Sequence, residues 1–142
     1  MVVLKKSDYE KIIEHAKKCL PEEACGLIAG TEKTDADGNT VKTIEEVYLL
    51  ENTDHSNEHF NISPQDQLKA IKDMRSKGLS PLGNWHSHPE SPSRPSEEDK
   101  RLFFDSKARY LILSLMEKDN PVLNAFIVVN HTDVSKDELV IA

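Results

Sequence analysis

Apolar residues recur at helical spacing at Tyr9, Ile12, Ile13, Ala16, Cys19 and Leu20, which predicts a first amphipathic helix. Ser7-Asp8-Tyr9-Glu10 has the form of a capping box at its start. Pro21 ends it, because proline lacks the N–H a helix needs and its ring restricts the preceding residue. Ala24 to Ala29 is a short apolar run closed by Gly30, read as a buried strand. Thr31 to Thr40 is polar and holds Asp37-Gly38, a hairpin turn signal, and Ile44 to Leu50 is a second strand. Glu51 to Ser63 is a polar loop carrying His55 and His59. Ser63-Pro64 opens a second helix with an apolar stripe at Leu68, Ile71 and Met74 and a stop at Gly78. Leu82 to His88 is a strand, and Pro89, Pro92 and Pro95 make the next stretch an irregular loop. Ser96 begins a third helix that includes Leu102 and Phe103. Strands follow at Tyr110 to Met116, Val122 to Val129 and Leu139 to Ala142.

Helices and strands interleave without repeat, linker or low-complexity segment. The expected class is α/β, one domain over 1–142, with a mixed or mostly antiparallel sheet flanked by helices. A chain of 142 residues can bury a sizeable core without staples. With 37% hydrophobic and 30% charged residues the composition is globular rather than disordered. No apolar run approaches membrane-spanning length, and Met-Val-Val-Leu-Lys-Lys lacks the long apolar region of a signal peptide, so a cytoplasmic protein without a membrane partner is expected. The net charge of −7 and the lack of a dense basic patch argue against a nucleic-acid partner. The two cysteines, Cys19 and Cys25, suit a reducing compartment, and their spacing fits no zinc finger. Both read as small core residues. A nucleophilic Cys25 would need a neighbouring base, and the sequence identifies none.

The chemistry concentrates in His86-Ser87-His88-Pro89 and Ser96-Glu97-Glu98-Asp99. Side chains alternate along a strand, so His86 and His88 point to one face and can grip a single metal ion. Pro89 ends the strand, and the Pro-rich loop turns the chain back. Ser96 stands where a helix N-cap belongs and Asp99 falls in the first turn, able to add a carboxylate oxygen. Two imidazoles and a carboxylate leave a fourth position for water, the pattern of a catalytic zinc site. Zinc lowers the pKa of such a water to about 7. The proton acceptor should be a carboxylate that does not bind the metal, and Glu22 and Glu23, just before the first strand, both qualify. Each feature alone is more often surface, cap or loop; their conjunction favours the metal reading. His15, His55, His59 and His131 lack such context and read as surface or structural, with a small weight on His55 and His59 as substrate-loop residues. Trp85, opposite in phase, reads as core.

These residues resemble the JAMM motif of the MPN-plus metalloproteases: a distant Glu, then His-Ser/Thr-His-Pro, six residues, Ser, two residues, Asp. Here it reads Glu23, His86-Ser87-His88-Pro89, Glu90 to Pro95, Ser96 and Asp99. Pro21-Glu22-Glu23-Ala24-Cys25-Gly26-Leu27 is similar to the family's N-terminal block and selects Glu23 over Glu22 as the base. Phe60 to Gly83 is similar in style to the compact stand-alone prokaryotic members. The resemblance implies a cytidine-deaminase-like fold and a Zn2+ cofactor on His86, His88 and Asp99. It makes Glu23 the proton carrier and Ser96 a stabiliser of the oxyanion.

The resemblance further implies an isopeptidase or peptidase that cuts after the C-terminal tail of a ubiquitin-like or ThiS/MoaD-type sulfur-carrier protein. The tail would lie extended in a groove leading to zinc. A homodimer is also allowed. Two alternatives compete. One is a non-catalytic MPN-type scaffold, which degenerate ligands would mark, and none is seen. The other is a RadC-like DNA-associated protein, whose motif shares His-x-His-Pro and Ser-x-x-Asp. The block around Glu23 and the acidic charge argue against it.

Overall fold

A computed structural model describes residues 1–142. In chain order the elements are β1 (Val2–Leu4), α1 (Lys6–Cys19), β2 (Cys25–Thr34), β3 (Thr40–Leu50), α2 (Pro64–Ser76), β4 (Ser80–His88), α3 (Glu97–Leu102), β5 (Arg109–Ser114), β6 (Val122–Val129), β7 (Asp133–Asp137) and β8 (Leu139–Ile141). The strands form one eight-stranded sheet in the order β7-β6-β5-β4-β2-β3-β1-β8. β4 and β5 run parallel, as do β1 with β3 and with β8; the other neighbours are antiparallel. The sheet is mixed and helices pack on it, as the pattern of the sequence implies.

The two edge strands, β7 and β8, are separated in the chain by Glu138 alone. Flat, eight strands about 4.8 Å apart would hold their edges roughly 34 Å apart. One residue cannot bridge that, so the sheet curls until its edges nearly meet. The two sides meet where the Met1 ammonium, just before β1, donates to Asp137 Oδ1 of β7 at 2.9 Å; Arg109 Nε of β5 donates to the other oxygen of that carboxylate at 2.8 Å.

Alternation along the strands sorts side chains between two faces. Trp85, Leu111, Leu113 and Ile28 join Ile12 and Ala16 of α1 in the largest core cluster. On the other face, Ala29 meets Ala70 and Met74 of α2, while Tyr110, Ile112, Phe126 and Val128 gather around Phe103 at the end of α3. Each fully buried aliphatic side chain here contributes on the order of 1.5–3 kcal/mol. Trp85 is fully buried and its indole N–H donates to Tyr48 O at 3.0 Å. That path requires Gly26: a Cβ there would stand 1.7 Å from Tyr48 O and 2.4 Å from Trp85 Nε1.

Some boundaries differ from the sequence reading. The first helix starts at Lys6, with Lys5 as N-cap and no side-chain cap, so Ser7 does not form the expected capping box. β1 leads straight into the helix, and Tyr9 N–H bonds Lys5 O, which places Ser7 inside the first turn. β2 and β3 run through the polar residues around Asp37-Gly38, because each continues the other's ladder as a long hairpin. Gly38 takes the positive φ of that turn. The third helix stops at Leu102, with Phe103 as its C-cap. No helix is long and apolar enough to cross a membrane.

Candidate metal centre

His86 and His88 lie on β4, a strand flanked by β2 and β5, which buries both rings. They share the face that carries α2 and α3. Beyond Pro89 the loop turns back to Ser96, the N-cap of α3. Here the capping box is complete: Ser96 Oγ accepts the Asp99 N–H at 3.0 Å, and Asp99 Oδ2 accepts the Ser96 N–H at 2.9 Å. The cap aims the Asp99 carboxylate at the two imidazoles. The Nε2 atoms of His86 and His88 are 3.0 Å apart, and each is 3.1 Å from Asp99 Oδ2.

This triangle fits a small divalent metal. A tetrahedral zinc with bonds of about 2.0–2.1 Å separates its ligand atoms by roughly 3.3 Å, close to the edges observed. Two neutral nitrogens and a carboxylate are the donor set of an open, catalytic site. His86, His88 and Asp99 are also the residues of this chain whose ligand atoms cluster in this way. Coordination through Nε2 requires the proton on Nδ1. His88 meets this demand, since its Nδ1 lies 2.9 Å from Pro92 O and can donate to it. His86 Nδ1 has no hydrogen-bond partner. Its ring is held instead by stacking on Phe60 at 4.7 Å and by the edge contact with Phe103 at 5.9 Å.

Burial alone would raise the Asp99 carboxyl, but hydrogen bonds from both histidines and from Ser96 N–H hold it well below the usual carboxylate range. His86, wholly enclosed, is pushed down by burial. In His88 burial also pulls downward, yet the Asp99 carboxylate and the Pro92 carbonyl outweigh it and raise the ring.

Glu23 reaches the same place by register. Cys25 pairs with His86 across β2 and β4, which sets Glu23 level with His88. Ser87 fastens this approach twice: its Oγ accepts the Ala24 N–H at 2.8 Å and its N–H donates to Ala24 O at 2.9 Å. Glu23 is buried, 3% exposed, and its Oε1 has no partner. Burial pushes its carboxyl up to about 8, with Asp99 and Glu58 adding to the effect and His88 opposing it. Ser96 is half-buried beside Asp99; its Oγ is spent as an acceptor, which leaves its hydroxyl proton free to donate.

Three residues support the cluster in ways that the sequence reading does not assign. Asn52 donates to Glu23 O and His59 O, both at 3.1 Å, and accepts from Asp54 N–H and Asn61 N–H, both at 3.1 Å, so it folds the loop onto Glu23. Ser87 and Phe60 act as described above. An asparagine in a polar loop gives no hint that it is 6% exposed and fully bonded. The remaining histidines stay outside the cluster. His55 pairs with Glu22 and His59 with Asp54, both near the surface. His15 packs against Trp85, and His131 faces Lys100 O. Cys25 is enclosed and its thiol is pushed up to about 12, chiefly by burial, which disfavours the thiolate.

Residues 5–127 match the family model described as prokaryotic homologs of the JAB domain, Prok-JAB. The chain belongs to that family. A Prok-JAB assignment agrees with the JAMM resemblance of the sequence. The chain is similar to the CysO-cysteine peptidase of Mycobacterium tuberculosis, with 24% identity covering 92% of this chain and 84% of the relative. It is 28% identical to the desampylase of Haloferax volcanii, covering 74% of each chain. Among solved structures, protein DSY2949 from Desulfitobacterium hafniense is 45% identical with a TM-score of 0.86, covering 100% of this chain and 93% of that one.

Proposed function

We propose that this Prok-JAB protein is a zinc-dependent peptidase that hydrolyses the peptide or isopeptide bond following the C-terminal tail of a ubiquitin-like or sulfur-carrier protein. The observation that carries the reading is the meeting of His86 Nε2, His88 Nε2 and Asp99 Oδ2 within 3.1 Å of one another, with the buried Glu23 level with His88. Relatives named for cleaving a CysO–cysteine linkage and for desampylation support the substrate class. Bound zinc supplies Lewis-acid chemistry, polarising a carbonyl oxygen and making water acidic near neutral pH.

The chain's own residues do the rest. Glu23 stands outside the ligand triangle, so its carboxylate takes the proton of the attacking water and delivers it to the leaving nitrogen. Its enclosure suits both transfers, because a carboxyl raised toward neutrality by burial holds the proton it has taken until the leaving nitrogen needs it. A cation at the triangle favours the ionised form needed at the start. Ser96 offers its hydroxyl proton to the oxygen that gains charge as the carbonyl is attacked. The low exposure of His86, His88 and Glu23 keeps these interactions out of bulk water.

The test is mass spectrometry of purified carrier fusions, joined to a peptide, to cysteine or to a lysine side chain, after incubation with the zinc-loaded protein. Cleavage after the carrier's last residue is expected, abolished by chelation and by Glu23→Gln. Zinc-loaded protein that cuts none of these fusions contradicts the proposal and supports a non-catalytic scaffold.

A further inference from the structure

His88 can serve as a ligand through Nε2 only while its Nδ1 proton has an acceptor, and that acceptor is the carbonyl of Pro92 at 2.9 Å. Pro92 lies in the loop between β4 and α3, which has little structure of its own: Arg94 N–H donating to that same carbonyl, at 2.9 Å, is its internal backbone bond. Pro89, Pro92 and Pro95 supply no N–H donors to hold it. What fixes the loop comes from β5, beside β4, and from β6 beyond it. Ser114 Oγ donates to Ser91 O at 2.7 Å, ahead of Pro92. Asn124 Nδ2 donates to Ser93 O at 3.3 Å, behind it, and Ser93 Oγ donates to Ile112 O at 2.6 Å. The carbonyls on both sides of Pro92 are thus held from β5 and β6, and the Pro92 carbonyl is oriented between them.

The register explains why these positions can do so. Ser114 pairs with His88 across β4 and β5, and Asn124 pairs with Ile112 across β5 and β6. Ser114 is 5% exposed and follows the buried run Leu111, Ile112 and Leu113, at a position where a serine forgoes apolar burial. His86 has no such chain; Phe60 and Phe103 hold its ring.

We propose that Ser114 and Asn124 are positioning residues for the metal ligand His88, acting through the Pro92 carbonyl. The inference rests on the metal-centre reading and extends it from the triangle to β5 and β6. Removing either anchor lets the 89–95 loop shift, the Nδ1 proton loses its fixed acceptor, and the Nε2 lone pair is no longer aimed.

The experiment measures zinc affinity by competition with a chromophoric chelator, for wild type, Ser114→Ala, Asn124→Ala, Ser114→Thr and Met116→Ala. In parallel, long-range 1H–15N spectra of the metal-free proteins report where the His88 ring carries its proton. Zinc binding about tenfold weaker is expected for each alanine variant at Ser114 and Asn124, the low end for changes behind a ligand. The Nδ1–H signature of His88 should weaken with it, while the His86 ring signals stay in place. Ser114→Thr, which keeps the hydroxyl, should restore both readouts, and Met116→Ala should match wild type. Alanine variants within twofold of wild type, with an unchanged His88 spectrum, overturn the proposal. If Ser114→Ala fails to fold, Asn124→Ala and Ser114→Thr decide it by the same criteria. Wild type that takes up no zinc contradicts the metal-centre reading instead, and the His88 spectrum then decides the positioning claim by itself.

Discussion

Replacing Glu23 with Gln keeps the size of the side chain and removes its ability to ionise. In the metal-free protein this should stabilise the fold, in a pH-dependent way. Burial pushes the Glu23 carboxyl from an ordinary 4.5 up to about 8, a gap of roughly 3.5 pH units. At about 1.36 kcal/mol per unit the gap corresponds to a ceiling near 5 kcal/mol. The sign follows from the direction. The folded state holds this proton more tightly than the unfolded chain does. The associated stability is therefore present below pH 4.5 and is lost as pH rises through about 8. The glutamine of the variant has no proton to lose, so the variant escapes that decline. Urea denaturation of both proteins with chelator present, at pH 4 and pH 8.5, gives the comparison. Titrations common to both proteins cancel in the difference. The advantage of the variant should grow by several kcal/mol between the two pH values. With saturating zinc it should shrink, because a neighbouring cation favours the carboxylate. A difference that changes by less than about 1 kcal/mol, or one that favours wild type at pH 8.5, would refute the reasoning that burial dominates at Glu23.

Other outcomes follow from the same geometry. Asp99→Asn keeps an oxygen for the Ser96 N–H, so α3 stays capped and the circular dichroism is unchanged. It removes the charge between the histidines, and zinc affinity measured by chelator competition should fall at least about 100-fold. Gly26→Ala forces a Cβ to within 1.7 Å of Tyr48 O, so equilibrium denaturation should show a loss of about 3 kcal/mol or more. Cys25, fully buried with its thiol pushed up to about 12, should resist a disulfide reagent at pH 8 until urea unfolds the chain. Zinc at 100 times its dissociation constant should stabilise the protein by about 2.7 kcal/mol, read as a raised melting temperature.

The meeting of His86, His88 and Asp99 is legible in the sequence because its parts obey short-range rules. Alternation on one strand puts His86 beside His88, and the Ser-x-x-Asp cap orients Asp99 over a single helical turn. Spacing alone narrows the base only to Glu22 or Glu23 at a junction, and the resemblance of the block around them selects Glu23; the register of Cys25 with His86, a pairing across more than sixty residues, brings it level with His88. The supports were not legible. Asn52 works through five backbone groups of a folded loop, and Ser114 through a carbonyl twenty-three residues away. No local pattern encodes such contacts. β7, Asp133–Asp137, was hidden for a different reason: as an exposed edge strand of mostly polar residues it lacks the alternation that marks a half-buried one. β1, only Val2–Leu4, is too short for any periodicity to show. At α1 a favourable capping pattern at Ser7 lost to the preceding strand, which starts the helix at Lys6.

The most direct measurement is crystallography of the zinc-soaked protein with anomalous data at the zinc edge. One strong peak per chain is expected, about 2.0–2.2 Å from His86 Nε2, His88 Nε2 and an Asp99 carboxylate oxygen, with no fourth protein ligand. A peak elsewhere, or one whose remaining position is closed by another side chain of this protein, would contradict the open metal centre.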